Sequence, residues 1–210
     1  MLVNHLLSAV LQLLLFSLLP LLFYIVRKNK FKGFFEYIGL ITPLKQTLLI
    51  SLLSAVISFI FIVVLFLTYP DLYLWELLKA PGTLTAEIGK IEPAYMALIV
   101  IIIKSAINTG LSEEILFRGF IGKRFIERFG FGCGNTIQGA IFGILHGLLF
   151  MNTVGISAAL LITSIIGIIG FLFGYLNERL GNGSIIPSWI AHSLANITGF
   201  SIIIFCLDLF

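Results

Sequence analysis

The stretch NTGLSEEILFRGF, residues 108–120, decides how this chain is read. Ile101-Ile102-Ile103 lies upstream of it, and Phe120-Ile121 carries on downstream. Two adjacent carboxylates, Glu113 and Glu114, and the guanidinium of Arg118 therefore interrupt an apolar run. Ionisable groups inside a membrane-spanning helix are expensive, and they ordinarily face the bundle interior, paired or functional.

The rest of the chain identifies the run as a span. Of 210 residues, 59% are hydrophobic and 11% charged, and the mean hydropathy is +1.11. A soluble domain carries roughly 25% charged residues, so this chain has too few to cover a water-facing surface. The composition predicts an all-α integral membrane protein whose first partner is the lipid bilayer. The net charge of +3 is modest and sits in loops, a pattern of topology and not of nucleic-acid binding. Cys133 and Cys206 lack any metal-ligand spacing and read as small packing residues.

Spanning the hydrocarbon core takes about 20 apolar residues. The segments 2–26, 44–68, 94–121, 136–151, 155–176 and 184–207 qualify, which predicts a bundle of about six transmembrane helices around an intramembrane polar cavity. The first segment is too long for a signal-peptide core and lacks a basic leader, so it reads as a first transmembrane helix, with Pro20 as a bend point. The segment 69–93 is mixed in polarity, carries Tyr69, Tyr73 and Trp75, and reads as an interfacial loop with a short helix. Residues 1–93 thus hold two spans and this loop, and residues 94–210 hold the rest.

Orientation follows from basic residues. The 27–45 loop carries Arg27, Lys28, Lys30, Lys32 and Lys45. The 122–135 loop carries Lys123, Arg124 and Arg128, and the 177–183 loop carries Arg179. The alternate loops are poor in Lys and Arg, which puts the basic loops in the cytoplasm and both termini outside.

Within the spans lie Lys104, Glu113, Glu114, Arg118, His146, His192 and Asn196. Glu114 and Arg118 are four apart and share a helix face, so they are expected to pair. Glu113 is turned about 100° away and is left to point elsewhere. At 1.5 Å per residue from the basic ends of their helices, Glu113 and His192 lie roughly 12 Å deep and His146 roughly 15 Å deep. Asn196 follows one turn beyond His192 on the same face. Three helices thus bring a carboxylate and two imidazoles to a similar depth.

No serine or cysteine nucleophile stands among these groups. A carboxylate in a low-dielectric site serves as a general base on water, and a neutral imidazole shares the proton work. A second imidazole and an asparagine amide donate to a developing oxyanion. The set describes hydrolysis of an amide by activated water, with no cofactor required. Glu113, His146 and His192 are equally a candidate ligand set for a divalent metal such as zinc. Lys104, near mid-bilayer, is expected to meet an acid on another helix or to reach outward. Gly167, Gly170 and Gly174 of GIIGFLFG predict close helix packing.

The motifs Glu113-Glu114-x-x-x-Arg118, Phe142-x-x-x-His146 and His192-x-x-x-Asn196, in this order on successive helices, resemble the CAAX protease and bacteriocin-processing (Abi) family of intramembrane endopeptidases. The segment EEILFRGF is especially similar to the first motif of that family. The resemblance covers roughly 94–207 and makes residues 94–210 the catalytic helical core. It implies a glutamate-dependent protease in which Glu113 activates water, His146 assists, and His192 and Asn196 stabilise the oxyanion. Glu114, Arg118 and Phe142 are then supporting residues. Its substrate is a peptide or protein arriving from the cytoplasmic side or from the membrane. Kinship implies cleavage of prenylated CAAX proteins in some members and peptide maturation or bacteriocin self-immunity in others. The compact chain points to a prokaryotic cell membrane, with the active site facing the cytoplasm. A transporter or proton relay and a non-catalytic scaffold or immunity protein are the competing classes.

Overall fold

In lipid, backbone polar groups have no water to bond, so apolar spans satisfy themselves as helices. The computed structural model describes residues 2–68, 78–80 and 82–206, and among them there is no strand. Helix α1 is Leu2–Lys28, and it runs through Pro20 as one helix. Arg27 and Lys28 close its last turn, where cations suit the exposed carbonyls. A short α2, Phe34–Tyr37, leads to α3, Lys45–Thr68. The expected interfacial helix is α4, Leu84–Ile88, capped by the Thr83 hydroxyl, which accepts from the Ala86 N–H at 3.3 Å. Tyr69, Tyr73 and Trp75 lie outside the described residues.

Helix α5, Ala94–Ile103, continues without a break into two wider, π-type stretches, Lys104–Leu111 and Glu114–Gly122. Helix α6, Lys123–Tyr175, follows, then a π-type turn, Leu176–Leu180, and finally α7, Ile186–Phe205. Residues 94–180 are one hydrogen-bonded run of 87 residues. At 1.5 Å per residue that is about 130 Å of helix, too long for one crossing. Gly130 (φ 77°) and Gly155 (φ 78°) fold α6 into three arms, 123–129, 131–154 and 156–175. Both bends use the left-handed region that glycine enters freely. Loops were expected at 122–135 and 152–154. The structure replaces each with a single glycine bend, so Lys123, Arg124 and Arg128 stand on a helical arm.

Small residues let the second and third arms meet. A Cβ at Gly139 would come within 2.8 Å of the Gly167 carbonyl, and one at Gly143 would strike the Thr163 carbonyl. Gly170 and Gly174 let Phe142 and Asn135 approach the third arm, as the glycine pattern predicted. Between these arms Asn135 donates to the Phe171 carbonyl at 2.9 Å, and Gln138 to the Gly170 carbonyl at 2.8 Å. Helix α3 packs along α7. An apolar core of Ala55, Ala158, Ile162, Ile169, Phe173 and Ala191 joins α3, the third arm and α7. Leu14, Leu15, Leu49 and Leu53 stay exposed on α1 and α3, as lipid-facing side chains do. Cys133 and Cys206 are exposed too, not packed inside as expected.

Helix α1 docks on the 94–122 helix through a polar ladder. Lys104 Nζ donates to Ser8 Oγ at 2.7 Å and to Asn108 Oδ1 at 3.4 Å. Asn108 Nδ2 donates to Gln12 Oε1 at 2.7 Å, and Gln12 Nε2 donates to the Asn108 carbonyl at 2.8 Å and to Ser112 Oγ at 3.3 Å. Among the described residues Lys104 thus takes hydroxyl and amide partners instead of a carboxylate. The ladder sets the register of α1 against the helix that carries the glutamates, because any slip strands buried polar groups in an apolar medium.

Candidate active site

The two π-type stretches flank Glu113. Wider turns of this kind recur at functional sites, where they re-aim side chains. Here one face of the stretch Lys104–Leu111 meets α7: Trp189 Nε1 donates to the Ala106 carbonyl at 2.7 Å, and Asn196 Nδ2 donates to Thr109 Oγ1 at 3.1 Å. Gly110 makes the close approach, since a Cβ there would lie 2.6 Å from Ser193 Oγ. Trp189 is therefore pinned to the neighbouring helix.

Glu114 and Arg118 pair as their spacing predicts, Oε1 to Nη1 at 3.2 Å, with both side chains buried. The carboxylate does more than neutralise the arginine. Its Oε1 also accepts from His192 Nδ1 at 3.0 Å, and its Oε2 from Ser188 Oγ at 2.5 Å. With Nδ1 held, His192 Nε2 faces Glu113, 4.0 Å from its Oε2. That Oε2 is buried and, among the described residues, has no hydrogen-bond partner. Glu113 is thus the carboxylate left free, and the imidazole stands between the two glutamates.

Phe142 is the hub of the cluster. Its ring is 4.4 Å from the His146 ring and 6.4 Å from the His192 ring, centre to centre. The Arg118 guanidinium lies 4.0 Å above the same ring, a cation–π contact that a buried cation without further hydrogen bonds uses well. Phe117 packs edge-on against Phe142 at 4.9 Å. His146 Nδ1 donates to the Phe142 carbonyl at 2.8 Å. A carbonyl only accepts, so Nδ1 carries the proton and Nε2 of the neutral ring keeps its lone pair.

The structure therefore brings Glu113, Glu114, Arg118, Phe142, His146 and His192 into one buried cluster. Asn196 stands one turn along α7 with one amide hydrogen on Thr109 and the other without a partner among the described residues. Among the described residues no three His, Cys, Asp or Glu side chains form a metal-holding group. With both Nδ1 atoms engaged, Nε2 is the ligand atom each histidine has left. Sequence reasoning did not reach Ser188, Asn177 or Thr109. Small polar residues in an apolar helix were the available signal, but only the neighbouring helix shows which of them matter.

An interior cluster of glutamate, histidine and arginine in a helical bundle defines an integral membrane protein with a polar centre. Residues 95–198 match the family model described as Rce1-like, type II CAAX prenyl endopeptidase Rce1-like. Through this region, from the start of α5 into α7, the chain matches the CAAX protease family, whose role is that of an intramembrane protease. No curated protein and no solved structure matches the chain.

Proposed function

We propose that the protein is an intramembrane endopeptidase that hydrolyses a peptide bond with a water activated by Glu113. The observation that carries this reading is the free Glu113 Oε2 facing His192 Nε2 at 4.0 Å, with Glu114 gripping the far side of the imidazole. A water bonded to Glu113 Oε2 is within reach of His192 Nε2. Glu113 takes the proton as the water oxygen attacks the scissile carbonyl carbon, and the carbonyl becomes an oxyanion. His146 takes the remaining proton of the attacking water on its Nε2 lone pair and returns it to the amine as the C–N bond breaks and the oxyanion collapses to the carboxyl product. The free amide hydrogen of Asn196 donates to the oxyanion. His192, resting with its proton on Nδ1, joins it through Nε2 once the proton taken by Glu113 passes to that nitrogen, and Glu114 offsets the charge the ring then carries.

The substrate is a peptide or protein segment that reaches the cluster from the cytoplasmic side or through the membrane. The basic residues of 27–45, 122–135 and 177–183 favour the cytoplasmic orientation. The test is cleavage of a quenched fluorescent peptide library by the detergent-purified protein, wild type beside Glu113→Ala, with and without a chelator. Cleavage lost in the variant and kept with chelator is expected. Full cleavage by Glu113→Ala would remove the glutamate from the chemistry, and loss with chelator would assign the nucleophile to a metal held by Glu113, His146 and His192.

A further inference from the structure

Ser188 lies at the start of α7, four residues before His192, and is fully buried. Its hydroxyl donates to Glu114 Oε2 at 2.5 Å. The Ile185 carbonyl, at 3.1 Å, is a second and longer acceptor for the same proton. Something must decide between them, and Asn177 is placed to do so. Asn177 is 1% exposed and sits on the π-type turn that ends the third arm. Its Nδ2 donates to Ser188 Oγ at 2.7 Å, and its Oδ1 accepts from the Ser188 N–H at 3.1 Å. The amide thus occupies a lone pair of the hydroxyl and one of the free N–H groups at the helix start. A serine oxygen that accepts from Asn177 has its own hydrogen to give, and Glu114 is the nearer acceptor.

We infer that Asn177 and Ser188 are positioning residues that hold Glu114 so that His192 keeps its proton on Nδ1 and turns Nε2 toward Glu113. The inference rests on the proteolytic reading for its kinetic consequence, while its structural content is the state of one imidazole. A carboxylate fixed from one side by serine and from the other by arginine presents Oε1 to His192 in a single geometry. Partners of this kind fix the tautomer and the ring orientation of the groups they support. None of the three family motifs contains Ser188 or Asn177.

The chain has three histidines, His5, His146 and His192, so ¹⁵N-histidine NMR of the detergent-solubilised full chain can be assigned with single substitutions. The wild type is expected to show His192 as the Nδ1–H form. Ser188→Ala, and separately Asn177→Asp, should convert that signal to a mixture of tautomers while His146 stays unchanged. Asn177→Asp keeps the acceptor for the Ser188 N–H but offers the hydroxyl a carboxylate of its own, so it should draw the proton away from Glu114. In the peptide assay, kcat should fall about 10- to 100-fold in both variants with KM nearly unchanged, the usual scale for orienting partners of a reactive group. An unchanged His192 signal in Ser188→Ala, with the variant folded by its thermal transition, would overturn the inference. So would an unchanged kcat beside an inactive Glu113→Ala. A wild type that cleaves nothing would instead count against the proteolytic reading, and the NMR outcome would still decide the positioning.

Discussion

Two buried polar constellations share the 94–122 helix, and they are built on opposite terms. The ladder of Ser8, Gln12, Lys104, Asn108 and Ser112 joins α1 to that helix with its amides and ammonium partnered. The cluster of Glu113, Glu114, Arg118, Phe142, His146 and His192 leaves Glu113 Oε2 without a hydrogen bond and holds Arg118 by one carboxylate and aromatic faces. In an apolar medium a satisfied network specifies how helices dock. An unsatisfied carboxylate in the same medium is a standing cost, which the proteolytic reading assigns to the reaction. On the proteolytic reading, partnering, more than burial or charge, separates the structural site from the reactive one.

Four changes break or sharpen that contrast. Glu113→Gln should lower kcat by about 10²- to 10⁴-fold, the usual contribution of a general base, with an unshifted thermal transition. A folded Glu113→Gln protein that still cleaves would end the distinction. Glu114→Ala should act on both properties, because it leaves the Arg118 cation buried and alone. Losing one partner of a buried pair costs about 3–5 kcal/mol, so denaturation in detergent should reveal a large loss of stability along with lost cleavage. Gly143→Leu, where any Cβ strikes the Thr163 carbonyl, should prise apart the second and third arms and destabilise by about 1–3 kcal/mol or more, seen as a lower midpoint of thermal aggregation. Lys104→Met should have the smallest effect. It removes a charge and its hydroxyl partner's bond while keeping the side chain's volume, so stability should move by about 1 kcal/mol and cleavage per folded molecule should stay at the wild-type rate. A Lys104→Met protein that folds and has no activity would transfer the ladder to the reactive side of the comparison.

The helices could be read from apolar run length, since lipid leaves the backbone no other solution. The Glu114–Arg118 pair was legible because four residues on one helix are neighbours whatever surrounds them. What surrounds them was not. His192 meets Glu114 because α7 presents that face to the 94–122 helix, a relation between two helices that neither segment encodes by itself. The π-type stretches were hidden as well. Asn108-Thr109-Gly110 marks a weak place in the apolar run, but widening depends on Trp189 and Asn196 taking up the displaced groups. The bends at Gly130 and Gly155 were read as loops, because a glycine among charged or polar neighbours signals a break without giving its length. Lys104 was expected to meet an acid or to reach outward, and its partners on α1 lay almost a hundred residues away.

The linker between α1 and α3 has a consequence for how the protein could be divided. The Ile185 N–H donates to the Gly39 carbonyl at 2.8 Å, and Ser184 Oγ donates to the Ile41 carbonyl at 2.5 Å, just before α7 begins. A Cβ at Gly119 would lie 2.6 Å from the Ile38 carbonyl. The early segment is thus the mould against which both the glutamate helix and the histidine helix are cast. Residues 94–210 cut free of it would keep every motif and lose the surface that aligns them. Two halves of a chain split within 69–93 would have to find each other in the bilayer before either could work, which makes the protein suited to a reassembly reporter and unsuited to having its core grafted elsewhere.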